Sequence, residues 1–104
     1  MRELLDLADP PTGVFCFNDQ MAMGAYEAIK QRGLSIPDDI AVVGFDNHEL
    51  IAAELRPSLT TLELPHYAMG QWAVEHLLAS STDGPVPASV QHKLACPLVE
   101  RESA

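Results

Sequence analysis

Asn18 and Asp46 are the two side chains whose types and placement suggest binding chemistry, since each closes a short apolar run. A carboxylate accepts hydrogen bonds from two hydroxyls, and a carboxamide both donates and accepts. Side by side, such a pair suits the vicinal hydroxyls of a neutral polyol such as a sugar. It suits a phosphate badly, because the carboxylate repels it and no Lys or Arg lies nearby in the chain. Taken alone, Asp46 also has a purely structural explanation, as the cap of a helix over residues 47–55.

The other reactive side chains do not assemble into a site. His48, His66, His76 and His92 have no metal-ligand spacing with one another or with the cysteines. Cys16 and Cys96 sit in apolar stretches and read as two buried, reduced thiols of a cytosolic protein, with a disulfide between them left open. Glu63, Glu75, Glu100 and Glu102 read as solvated charges, and Trp72 as a core or interface residue. There is no nucleophile elbow and no glycine-rich phosphate loop. Without a nucleophile, a base and an oxyanion site, an enzyme is disfavoured, and no cofactor or metal is expected.

Composition narrows the class further. The chain has 104 residues, 47% of them hydrophobic, which suits one modest domain with a packed core. A formal charge of −9 opposes direct contact with nucleic acid and with anionic membranes. No secretory signal or membrane span is visible.

Placing Asn18 and Asp46 requires strands that end at them. Residues 40–46, Ile-Ala-Val-Val-Gly-Phe-Asp, form an unbroken apolar run closed by Gly and Asp, the pattern of a strand buried on both faces. Residues 13–17 are a second such run, ending at Asn18-Asp19, either of which can cap a helix. From 20 to 31, Met21, Ala22, Ala25, Ala28 and Ile29 form an apolar stripe at helical spacing, and Gly33 fits the end of that helix. Strand, helix and strand make a βαβ unit with parallel strands. Both strands then end on one edge of the sheet, where ligands of open α/β sheets bind.

The remainder reads as further α/β elements. Residues 2–7 look like the end of a helix, and 47–55 like a short helix. Residues 58–64 are an extended segment around Thr60-Thr61, and Pro65 introduces a helix over 66–80 carrying Met69, Trp72, Ala73, Leu77 and Leu78 on one side. Residues 80–87 are a turn-rich linker. The alternation of Val90, His92, Leu94, Cys96 and Leu98 predicts a final strand, confined by Pro97 to an edge or a strand end.

Three runs carry a family resemblance: Asn18-Asp19-Gln20-Met21-Ala22-Met23-Gly24, then Ile36-Pro37-Asp38-Asp39-Ile40-Ala41-Val42-Val43-Gly44-Phe45-Asp46-Asn47, then Pro57-Ser58-Leu59-Thr60-Thr61-Leu62. In this order, flanked by Pro11-Thr12-Gly13-Val14-Phe15 and Leu98-Val99-Glu100-Arg101-Glu102-Ser103, they resemble the lactose-repressor (LacI/GalR) family over nearly the whole chain.

The resemblance implies an α/β fold: the parallel βαβ sheet of a type I periplasmic-binding-protein-like sensor, here the C-terminal lobe fragment. It implies the effector-sensing and dimerising portion of a bacterial transcriptional regulator, with a homodimer, a sugar-like effector, and operator DNA contacted only through an N-terminal domain absent from this chain. Asn18 and Asp46 match effector-contacting positions, and His66 falls where members often place an aromatic. Met23, Tyr26, Glu27, Leu50, Ala53, Glu54 and Leu55 match the dimer face. Residues 1–64 would form the C-terminal lobe, 65–89 a helix and linker of the other lobe, and 90–104 the terminal strand and tail. The apolar side of helix 66–80 would then fold back on the sheet, exchange with a second chain or pair in an oligomer. A fragment of a periplasmic sugar-binding protein of ABC transport shares this fold. The motif at Pro57–Thr61 and the lack of a secretory feature favour the regulator.

Overall fold

The computed structural model describes residues 1–80 and 90–104. They form two units, Met1–Leu64 with Pro97–Ala104, and Pro65–Cys96.

The first unit is built on the two apolar runs. β1 (Gly13–Phe15), β2 (Ala41–Asp46) and β3 (Thr60–Glu63) are parallel neighbours in that order, and β4 (Leu98–Val99) pairs antiparallel with β3. Three helices accompany them: α1 (Arg2–Leu5), α2 (Asp19–Gln31) and α3 (Glu49–Ala52). The expected open sheet of parallel strands with helical crossovers is therefore present, with one antiparallel edge.

Local chemistry sets the bounds of α2. Asn18 is extended, and its side-chain oxygen accepts from the Met21 amide at 2.8 Å, which makes Asn18 the cap. At the other end Gly33 takes φ +73°. Its N–H donates to Lys30 O at 2.9 Å, while the Leu34 N–H donates to Ile29 O at 3.3 Å. This pair of bonds is the Schellman ending that a residue without Cβ allows.

The buried face of α2 is Ala22, Ala25, Tyr26, Ala28 and Ile29. Met21, expected on that face, is exposed. Positions 22, 25, 26 and 29 share one side of a 3.6-residue helix, and position 21 is turned about 100° away from 22. The alanines let α2 lie close to β2, where Val42 is fully buried with Ile29 and Leu59. Burying side chains of this size contributes about 1.5–3 kcal/mol each.

Burial on both faces of β2 is not observed in this chain. Val42 and Gly44 are buried, whereas Ala41, Val43 and Phe45 are half-buried. Phe15 and Phe17 are largely exposed. Side chains alternate across a strand, and α2 covers only one of the two faces.

The tail tightens the sheet. Ser103, fully buried, donates through Oγ to Val42 O at 2.6 Å and accepts from Thr60 N at 2.8 Å, while its carbonyl accepts from Val42 N at 2.8 Å. It thus bridges β2 and β3 at their amino ends.

Two elements are shorter than expected. The helix predicted over 47–55 is reduced to the single turn of α3, which begins only after an irregular turn at Asp46-Asn47. The guanidinium of Arg56 takes up the carbonyls of Ala53 and Leu55 beyond its end. The strand predicted over 90–98 is formed only at Leu98–Val99, and residues 90–96 are not strand. Alternation alone makes no strand without a neighbour to pair with, and β3 offers that pairing only to Leu98 and Val99.

The second unit contains α4 (His66–Ser80), none of whose residues is buried. Trp72, half-buried, stacks on His76 and His92 at centroid distances of 5.2 and 5.1 Å. Both cysteines are free thiols, Cys16 buried in the first unit and Cys96 half-buried in the second. The linker predicted over 80–87 lies, beyond Ser80, outside the described residues.

Candidate functional site

The parallel register of β1 and β2, Gly13 beside Ala41 and Phe15 beside Val43, brings the two runs out of the sheet at the same edge. Asn18 follows β1 and Asp46 ends β2. The two candidate ligand contacts therefore leave one rim, as a βαβ crossover requires.

At this rim the backbone is unusual. Asp46 has φ +108° and Asn47 φ +53°. Asn tolerates the left-handed region; a consecutive pair of positive values in side chains with Cβ is costly and must be held by its surroundings. The capping explanation for Asp46 does not hold. The N-cap of α3 is His48, which makes no side-chain cap bond. Among the described residues, the half-buried Asp46 carboxylate forms no hydrogen bond or ion pair. Asn18 uses its carbonyl oxygen on Met21, and its NH2 group has no partner among the described residues. A two-donor amide and an uncommitted carboxylate thus share the rim, which is the set that hydroxyl groups satisfy.

The surrounding shell was not foreseen. Asp19 is 1% exposed. Its Oδ1 accepts from Thr61 Oγ1 at 2.7 Å and its Oδ2 accepts from the His48 N–H at 2.7 Å. Gly44 accommodates this node: a Cβ there would collide with Asp19 Oδ1 and come within 2.9 Å of Leu59 Cδ2 and 3.2 Å of Thr61 Oγ1. Asn47 donates to Glu63 Oε2 at 3.2 Å and accepts from Arg101 Nη2 at 2.8 Å, while Arg101 Nη1 reaches Leu59 O at 2.8 Å. Glu63, read as a solvated charge, is thereby tied to the turn. The available signal was Gly44 itself, a glycine inside an apolar strand, which marks the close approach of another group.

The remaining candidates fall elsewhere. His66 is the exposed first residue of α4, in the second unit. On the expected dimer face, Met23 and Glu27 of α2 are exposed, as are Leu50, at 81%, Ala53 and Glu54 in and beside α3. Leu55 is half-buried and packs against the core. Tyr26, expected on the same face, is 2% exposed in the single chain, because it lies on the side of α2 that meets the sheet. Burial raises the Tyr26 phenol above its ordinary pKa, and it does the same to the Cys16 thiol. No group of three or more His, Cys, Asp or Glu that would hold a metal ion occurs among the described residues. No helix among them is long and apolar enough to cross a membrane.

The family model of the periplasmic binding protein-like domain matches residues 1–104. The repressor CytR of Escherichia coli is 41% identical over 103 residues, 99% of this chain and 30% of its own length. The ribose operon repressor of Haemophilus influenzae is 46% identical over 78 residues, 75% of this chain and 23% of that protein. A LacI family transcriptional regulator from Enterococcus faecium, solved with bound ribose, superposes with a TM-score of 0.77 at 35% identity, covering 97% of this chain and 36% of its own. The chain thus spans less than a third of the length of the repressors it matches.

Proposed function

This chain belongs to the periplasmic binding protein-like domain family, and from that premise we propose that it is the effector-sensing and dimerising portion of a LacI-type transcriptional regulator. The effector is a neutral, polyhydroxylated small molecule of the sugar type. In this reading Asn18 donates to ligand oxygens, Asp46 accepts from adjacent hydroxyls, and His66 is a further effector-contacting residue. The observation that carries it is the Asp46 carboxylate, held at φ +108° at the end of β2 with no partner among the described residues. A structural role leaves that conformation without a purpose, whereas a ligand contact explains it.

Met23, Glu27, Leu50, Ala53 and Glu54 supply the homodimer face, exposed side chains on α2, on the adjoining α3 and in the residues just after α3. Operator DNA is contacted by other parts of the complete protein, in keeping with the charge of −9 carried here. Effector closes the lobes, and the change in dimer geometry alters operator affinity. The repressor names of the relatives favour this role over a periplasmic transport protein of the same fold.

The test is a titration of the complete protein with D-ribose, followed by other pentoses, hexoses and nucleosides, by calorimetry. Asp46→Ala removes hydrogen bonds to a charged acceptor, worth about 1.5–3 kcal/mol each. Affinity for the sugar that binds should fall by about 10- to 100-fold with the dimer intact. Unchanged affinity in Asp46→Ala would remove this residue from the pocket.

A further inference from the structure

We propose that Asp19 is a positioning residue that holds Asn18 and Asp46 as one preformed pair before any ligand arrives; this rests on reading those two residues as ligand contacts. Asp19 follows Asn18 directly in the chain and begins α2. Its carboxylate reaches across the rim to the His48 N–H at 2.7 Å, two residues beyond Asp46, and to Thr61 Oγ1 of β3 at 2.7 Å. A single side chain therefore ties the segments that follow β1 and β2 to Thr61 inside β3.

Buried charge of this kind is costly unless every oxygen is matched to a donor. Asp19 has no cationic side chain as partner among the described residues. Its compensation comes from the two hydrogen bonds and the first turn of α2. Movement of His48 away from the rim would strand a carboxylate oxygen, so the brace penalises any relaxation of the turn. The turn it holds is the one with two successive positive φ values, at Asp46 and Asn47. Gly44 gives up a side chain where a Cβ would meet Asp19 Oδ1. Capping does not explain Asp19 either, because Asn18 already caps α2.

The test compares Asp19→Asn, Thr61→Val and Thr61→Ser in the complete protein. Asp19→Asn leaves one acceptor oxygen for two donors, the His48 N–H and the Thr61 hydroxyl, Thr61→Val removes the hydroxyl at constant shape, and Thr61→Ser keeps it. The first readout is hydrogen–deuterium exchange without ligand. Exchange over residues 45–49 should rise by about tenfold or more in Asp19→Asn and Thr61→Val, with α2 and residues 41–44 of β2 at wild-type rates and Thr61→Ser close to wild type. The second readout is D-ribose affinity, which should weaken by about tenfold in the same two variants and recover in Thr61→Ser. Unchanged exchange over 45–49, a uniform rise across the whole unit, or a local rise with undiminished ribose affinity would each overturn the positioning role. If wild type binds none of these sugars or nucleosides, or Asp46→Ala binds the effector normally, the pocket reading fails on its own terms. The unliganded exchange still decides whether Asp19 braces the turn.

Discussion

Ile29 in α2 and Leu77 in α4 are similar side chains on helices of similar length, with opposite fates. Ile29 is fully buried; Leu77 is 68% exposed, and no residue of α4 is buried at all. Both helices were assigned from apolar residues at helical spacing. What separates them is the partner. α2 returns the chain from β1 to β2 and lies on the sheet it crosses. Helical spacing specifies a face, but only a covering layer converts that face into stability. Each apolar side chain of α4 left in water forgoes about 1.5–3 kcal/mol.

The largest effect that separates the two helices is truncation. Ile29→Ala should destabilise the protein by about 2–5 kcal/mol, since it opens a cavity beside Val42 and Leu59. Leu77→Ala in the same chain should change stability by less than about 0.5 kcal/mol. Urea denaturation monitored by circular dichroism measures both. A cost for Leu77→Ala that approaches that of Ile29→Ala would show that α4 already buries that residue in solution.

Glycine substitution gives a smaller contrast of opposite sign. Gly44→Ala places a methyl against Asp19, Leu59 and Thr61 and should cost about 1–3 kcal/mol through overpacking and a displaced brace. Gly70, inside α4, has nothing within 4 Å of an added Cβ. Gly70→Ala should therefore stabilise that helix by up to about 1 kcal/mol through helix propensity. Thermal melts of the two variants check the pair, and a tolerated Gly44→Ala would mean that Asp19 moves aside without penalty.

These contrasts also mark what was legible in the residues. The β2 run, the α2 cap at Asn18 and the ending at Gly33 are local signals, and each is where the local chemistry placed it. Tyr26 replaced Met21 in the core because a helical stripe can be drawn one position off when alanines flank it. The Asp19–Thr61 bond joins residues 42 apart, and the Arg101–Asn47 bond residues 54 apart. No local periodicity encodes such pairings, and they hold the turn that makes Asp46 available. The strand read over residues 90–98 failed for the converse reason: the alternation was present, and the partner strand was not.

The two cysteines carry the comparison down to its smallest effect. Cys16 is buried in the first unit and Cys96 half-buried in the second. Burial raises the Cys16 thiol above its ordinary value of 9.0, because a thiolate inside the core loses its hydration. At neutral pH iodoacetamide should label Cys96 in the native protein and Cys16 only in urea, as peptide mass analysis would show. The raised value also fixes the sign of a pH effect. The folded state resists losing the Cys16 proton, so its contribution is fully present below pH 9 and declines as pH rises through the higher folded-state value. Tyr26, raised by the same burial from 10.0, adds to the decline at still higher pH. The melting temperature should therefore hold from neutral pH to about 9 and then fall, and Cys16→Ala should remove the earlier part of that fall. Prompt native labelling of Cys16, or an alkaline slope unaltered in Cys16→Ala, would place that thiol outside the core on which the contrast between the two units depends.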